Sequence, residues 1–413
     1  MEKLAVLGGD PIRTHDFPKW PQYDQHERQA LLDVLESEIW WRTPGNRTKA
    51  FEEAFAAYHQ AKHGIAVTNG TAAIEIALAA LGIGLGDEVI IPDYTFVATA
   101  SAVLLHGALP VLVDIEPATY NINPARVEAA ITPRTKAIIA VHIAGYPADM
   151  NALQAIAERY NLYLLEDCAH AHGAERDGRK VGTFGKAGTF SFQQSKLITA
   201  GEGGIILTND DELEVQIRSI HDCGRMPGAW FYAHFINGGN YRLSEWQGAI
   251  LSQQLERFEP QANTRSANAV FLNQQLAQIE GITPQAYDPA HIRHGHYGYI
   301  FTYDPGCFSG LSTGQFIEAF EAEGIPTQAS YPPLHALALF TSGEYCKRLL
   351  PEVLTSRHAA EHPPYQDADF PVTIFAFTNT VWLEQRALLG TQADTADILK
   401  AVQKIQRLAK TLR

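Results

Sequence analysis

A mostly parallel sheet with helices on both faces, followed by a smaller α+β C-terminal unit, is the α/β architecture that this chain predicts. Three observations carry that reading. Short, almost wholly apolar runs recur between residues 64 and 165, as strands buried on both faces do. Stretches of helical periodicity separate them, so strand and helix alternate. From residue 243 the alternation gives way to a long helical pattern, a lone strand and a closing amphipathic helix. The organisation expected is an N-terminal helical segment over 1–60, a large unit over 61–256 and a small unit over 257–413.

In order, residues 24–38 have helical periodicity and end at the aromatic stop I39-W-W-R-T-P-G45, with a second helix near 48–59. Strand-like runs at 64–67, 88–91, 110–113, 137–141 and 162–165 then alternate with helices at 71–83, 95–107, 124–131 and 150–160. A further strand ends at S191-F192. It leads through a polar turn carrying Lys196 and the turn G201-E-G-G204 into a strand over 205–208. A helix at 211–221, an aromatic loop (A229 to R242) and helical pattern from 243 to about 280 follow. The chain closes with a strand at 297–303, a helix near 312–323 and a helix from about 392 to 411. No internal repeat or low-complexity segment is present.

At 413 residues and 46% hydrophobic content, the chain is long enough for a large core and too long for one ordinary domain. Its formal charge of -14 argues against nucleic acid or an anionic membrane as partner, because both require basic surface. The apolar run at the N-terminus is too short for a signal peptide and no later run reaches bilayer length, so a cytoplasmic location is expected. Cys168, Cys223, Cys307 and Cys346 lie far apart without C-x-x-C spacing, which predicts reduced thiols.

Four elements carry chemistry. In V67-T-N-G-T-A-A-I-E-I-A-L78 a buried strand runs into an alanine-rich helix that Asn69 or Thr71 can cap; its first N–H groups suit a phosphate, or the cap is merely structural. In I91-P-D-Y-T-F96, Phe96 follows a strand's carboxyl end, where it stacks on a ligand ring or joins the core. The apolar run at 162–165 empties into E166-D-C-A-H-A-H172. A poorly solvated carboxylate there needs a cation such as a protonated ring nitrogen, and Asp167 is the obvious one. His170 and His172 find no third ligand at metal spacing, and H291-I-R-H-G-H296 reads as surface or substrate-side residues, so no metal is expected. Lys196, between a buried strand and a glycine-rich turn, is held out of bulk water, which favours a neutral, nucleophilic amine. A phosphate site, a stacking aromatic, a carboxylate and such a lysine are the parts that bind pyridoxal 5'-phosphate (PLP) as a Schiff base. A nicotinamide dehydrogenase would need G-x-G-x-x-G between strand and helix, which this chain lacks.

The succession N69-G-T-A-A, Y94-T-F, E166-D-C-A-H-A-H-G-A, F190-S-F-Q-Q-S-K, G201-E-G-G and G238-G-N-Y-R-L-S-E-W-Q-G-A resembles the DegT/DnrJ/EryC1/StrS aminotransferases. These are fold type I PLP enzymes with a seven-stranded sheet that act on keto sugars and cyclitols. The resemblance implies that Lys196 bonds the cofactor and Asp167 pairs with its pyridine nitrogen. It also implies that Phe96 stacks on the ring and that Gly70, Thr71 and Ser191 contact the phosphate. Asn240 is similar to an asparagine that reaches the phosphate from the neighbouring subunit, with Arg242 close by, which implies a homodimer sharing its sites. Where many members have glutamine near the cofactor's 3'-oxygen, this chain has His170, a residue able to stack on the ring or bond that oxygen.

A169-H-A-H-G-A, F17-P-K-W-P-Q-Y-D with I39-W-W-R, and T380-V-W-L look most like the branch that contains 3-amino-5-hydroxybenzoate synthase and glutamine-dependent scyllo-inosose aminotransferases. That branch implies an amino donor, L-glutamine before L-glutamate, and a cyclitol or keto-sugar acceptor. Arg42, and Tyr331 and His335 in S330-Y-P-P-L-H335, are the candidate acceptor contacts. Two alternatives remain at this stage. One is a PLP enzyme that dehydrates and aromatises its ring; the other is a non-catalytic PLP or sugar-binding protein, against which Lys196 and Asp167 both count.

Overall fold

Seven buried strands form the main sheet of the computed structural model, which describes residues 2–341 and 365–412. Their spatial order is His63–Val67, Gly204–Thr208, Ala187–Ser191, Tyr163–Asp167, Thr135–Val141, Glu88–Pro92 and Leu109–Val113. Gly204–Thr208 runs antiparallel to both neighbours and every other pairing is parallel. Valine, isoleucine and leucine fill these strands because helices cover both faces, and apolar clusters pack on either side. The expected mostly parallel α/β sheet is thus the observed one.

One strand differs from its expectation. Tyr163–Asp167 extends through both carboxylates, where a strand ending at 165 was predicted. Side chains alternate along a strand, so Glu166 and Asp167 face opposite ways. Glu166, fully buried, accepts the N–H groups of Phe184 (2.7 Å), Gly185 (2.8 Å) and Gly182 (2.8 Å), with His142 Nε2 at 3.2 Å. Those bonds satisfy its charge inside the protein and bind the loop around residues 182–185 beneath the sheet. His142, Glu166 and Cys168 also converge closely. The Glu166 oxygens there are already taken by backbone N–H groups.

A second, four-stranded antiparallel sheet follows, in the order Ile282–Pro284, Gly298–Tyr303, Thr380–Glu384 and Thr327–Gln328. Its core gathers Phe301, Phe316, Phe320, Ile398 and Ile405 and takes in Leu4 and Phe17 from the N-terminus. The helix Glu245–Leu276 runs unbroken through residues 256 and 257, so the main sheet passes to the second through a helix and not through a linker. Among the described cysteines, Cys168, Cys223 and Cys307 are free, and Cys346 lies outside the described residues. No helix among the described residues is long and apolar enough to cross a membrane.

Glu166→Gln should put an amide N–H against backbone donors and cost at least about 2 kcal/mol of stability. Urea unfolding of the variant, unchanged from the parent, would contradict this account of the buried carboxylate.

Candidate active site

The carboxyl ends of the parallel strands open into a cavity of about 740 Å³, where ligands of such sheets bind. The contributing strands deliver their residues at or a few positions beyond their carboxyl ends. Behind His63–Val67 the helix Gly70–Ala80 begins, and Asn69, not Thr71, caps it: Asn69 Oδ1 accepts Ala72 N–H at 2.8 Å. The free N–H groups of that first turn face the cavity wall formed by Gly70, Thr71 and Ser191. Gly70 must be glycine, since a Cβ there would stand 2.8 Å from Ser191 Cβ. Gly204, last of the G-E-G-G turn, is constrained likewise, with a Cβ falling 2.5 Å from the Asn69 carbonyl carbon. The two glycines let the helix start close against the strands, with its first turn at the cavity.

Asp167 is 7% exposed and lines the cavity. Thr99 Oγ1 donates to its Oδ2 at 2.9 Å and Ala169 N–H to its Oδ1 at 3.1 Å. Burial raises its pKa above the usual carboxylate range, against the lowering effect of those two bonds and of Lys196. A cation lodged against it favours the charged form. Phe96 is 54% exposed, so its ring belongs to the cavity wall and not to the core.

His170 and His172 do not converge on a common point. His172 Nε2 donates to the Ser191 carbonyl at 3.0 Å, behind the site. His170 faces the cavity, stacked on Tyr297 at 4.0 Å and 11°, with Tyr331 Oη 3.1 Å from its Nε2. Its Nδ1 is buried and has no hydrogen-bond partner within the chain. Burial, then the charges of Lys196 and His172, push its pKa well below the usual histidine value, so the ring is neutral. Burial also lifts the Tyr331 phenol well above its ordinary range. Lys196, half-buried, projects into the same space. The parts fit PLP: N–H donors at a helix start, a buried carboxylate short of a cation, an unpartnered ring nitrogen and one amine.

Two expected acceptor contacts are placed elsewhere. Arg42 is locked on Glu52 (2.5 and 2.9 Å), which also accepts Ala66 N–H at 2.7 Å, so it ties the helix Arg47–Tyr58 to the strand His63–Val67. His335 is buried between Asp93 (2.7 Å) and Asp367 (3.0 Å) and stacked on Phe370. Burial lowers its pKa, but the bonds to those carboxylates outweigh this and raise it overall. The Pro-rich loop thus turns inward at His335 and presents only Tyr331 to the cavity. Asn240 is exposed and Arg242 is paired with Asp222; neither lines this chain's own cavity. The histidines of 291–296 are not a surface cluster either. His294 and His296 stack at 4.2 Å, packed inward where Gly295 N–H bonds the Gly145 carbonyl at 2.9 Å, and only His291 is exposed, on Asp177.

Sequence reasoning missed Thr99, Gln193, Ser195 and Tyr297 on the cavity wall. Thr99 lies three residues beyond the Phe96 motif, and Ser195 sits inside the lysine motif, directly before Lys196. Nothing local marks Tyr297.

The chain from residue 21 to 401 matches the model of the DegT/DnrJ/EryC1/StrS aminotransferase family. It belongs to that family. Accordingly it is a PLP-dependent aminotransferase, as its cavity's donor set fits. Among similar proteins, an L-glutamine:2-deoxy-scyllo-inosose aminotransferase of Streptoalloteichus tenebrarius is 39% identical over 425 residues, covering 99% of each chain. A 3-amino-5-hydroxybenzoate synthase of Amycolatopsis mediterranei is 39% identical over 392 residues, covering 94% of this chain and 97% of that protein. A crystal structure of 3-amino-5-hydroxybenzoic acid synthase superposes with a TM-score of 0.83 at 37% identity, covering 95% of this chain and 99% of that one.

Burial also holds His172 near a pKa of about 3, against an ordinary value of 6.5. The folded state therefore binds fewer protons than the unfolded one between those values, and stability falls as pH drops through that window. The slope is about 1.4 kcal/mol per pH unit for each such histidine. Urea midpoints of the cofactor-free enzyme should fall steadily below pH 6.5 and less steeply in His172→Asn; equal slopes would remove this histidine from the account.

Proposed function

We propose that this aminotransferase moves the amino group of L-glutamine, or secondarily L-glutamate, onto the secondary ketone of a free cyclitol or a keto sugar that carries no phosphate. The observation that carries the acceptor class is the cavity's charge. Among the described residues lining it, Lys196 is the one lysine or arginine, beside the acids Glu75, Asp167 and Glu202. Hydroxyls of Tyr297, Tyr331 and Ser195 and the amide of Gln193 suit a polyol, whereas a nucleotide-linked sugar would bring a diphosphate that needs cations. The scyllo-inosose aminotransferase named above, similar over the full length, supports the same class.

Bound PLP supplies an electron sink for negative charge at the donor's α carbon. The Gly70 and Thr71 N–H groups and Ser191 Oγ would hold its phosphate, and the Phe96 ring would stack on it. Asp167 keeps a proton at the pyridine nitrogen, with Thr99 and Ala169 N–H fixing the carboxylate's orientation. His170 offers its unpartnered Nδ1 to the cofactor's 3'-oxygen. Lys196 Nζ would anchor the cofactor and, when free of it, would serve as the base that carries the proton of the donor's α carbon. Tyr331, held by His170, orients the acceptor's hydroxyls. Asn240 of a second copy completes the phosphate site in a homodimer. A second reading, dehydration and aromatisation of the acceptor ring, is favoured by the likeness to 3-amino-5-hydroxybenzoate synthase and by the cavity that either reaction would share.

Incubation with L-[α-15N]glutamine and a polyhydroxylated cyclohexanone, followed by mass spectrometry, tests this directly. A labelled, non-aromatic ring amine is expected, with the donor recovered as its 2-oxo acid; label in an aromatic amine would select the second reading, and no transfer would refute the first. Lys196→Ala should lose the cofactor's visible absorbance and at least about 10³-fold in turnover. Mixing inactive Lys196→Ala and Asn240→Ala chains should restore about a quarter of parental activity, since half the dimers are mixed and each has one intact site. No recovery on mixing would deny a shared site.

A further inference from the structure

We propose that Tyr297 is a positioning residue for Lys196, holding its amine in place whenever the amine is not bonded to the cofactor; the proposal rests on the role of Lys196 given above. Tyr297 immediately precedes the strand Gly298–Tyr303, so the second sheet delivers it into the site of the first. Lys196 Nζ lies 4.4 Å from the centroid of its ring. Among the described residues no hydrogen bond or ion pair to Nζ is formed, and this aromatic face is its attachment.

The phenol secures the lysine's other end. Ser195 Oγ donates its one proton to Gln193 Oε1 at 2.8 Å, so the 3.0 Å contact between Tyr297 Oη and Ser195 Oγ has Tyr297 as donor. One side chain therefore touches both the amine of Lys196 and the residue preceding it. His170, stacked on the same ring at 4.0 Å, keeps that ring from tilting.

The chemistry asks for such a holder. Lys196 must leave the cofactor in every cycle and stay within reach, yet its flexible stem allows many positions. An aromatic face attracts the ammonium without the tight grip of a carboxylate and releases the amine once it is neutral. An apolar side chain of similar bulk would fill the space without that selectivity.

The test uses the cofactor-free full-length enzyme with two probes. PLP bonds to Lys196 and develops visible absorbance, whereas pyridoxamine phosphate has no aldehyde and binds without the lysine. Tyr297→Leu should slow bonding of PLP about tenfold while leaving pyridoxamine phosphate affinity within about twofold. Tyr297→Phe, which keeps the ring, should stay within about threefold of the parent rate. Parental rates in Tyr297→Leu, equal slowing in Tyr297→Phe, or parallel loss of both probes would each overturn the proposal. A parent enzyme that binds pyridoxamine phosphate but never bonds PLP would instead strike the role of Lys196 itself.

Discussion

Two consecutive buried carboxylates at the end of one strand impose the constraint on which this site depends. Burying a charge is costly unless donors surround it, and alternation sends Glu166 and Asp167 to opposite faces. Each side must therefore solve its own problem. On one face three backbone N–H groups and His142 satisfy Glu166, which fixes the loop below the sheet. On the other face Thr99 and Ala169 N–H use part of the accepting capacity of Asp167 and leave the rest toward the cavity. The unfinished carboxylate leaves the cavity an acceptor suited to a cationic ring.

The site is a joint product of two sheets. The main sheet supplies the helix start, Asp167 and the lysine turn, all at strand ends. Tyr297 and Tyr331 enter from the region of the second sheet, and the His335 bonds to Asp93 pin the Tyr331 loop onto the loop that carries Phe96. His170 stands where the two contributions meet, stacked on one tyrosine and bonded to the other.

Much of this was legible in the sequence, for local reasons. The seven strands and the placing of Lys196, Asp167 and Phe96 at one cavity follow from residue patterns a few positions long, a cap at Asn69 or Thr71 was legible as a pair of alternatives, and Gly70, Thr71, Ser191 and Tyr331 came from the resemblance to the family's motifs. The misplacements share a cause as well. Arg42 and His335 are polar residues in aromatic or Pro-rich loops, and such loops look alike whether their polar groups meet a ligand or another part of the chain. His294 and His296 sit in a polar-looking stretch whose burial is set by the distant Gly145 turn.

The sequence by itself therefore determined the sheet, the cofactor class and most of the predicted residues that line the cavity, because hydrophobic period, strand-end chemistry and the family's short motifs each act over short spans of chain. Only the tertiary structure decided which polar groups spend their bonds internally and which are left for a ligand. The pairing of Ser195 with Tyr297 spans 102 residues and that of His335 with Asp93 spans 242. Contacts so remote leave no trace in local pattern, since what selects them is the packing of one sheet against the other.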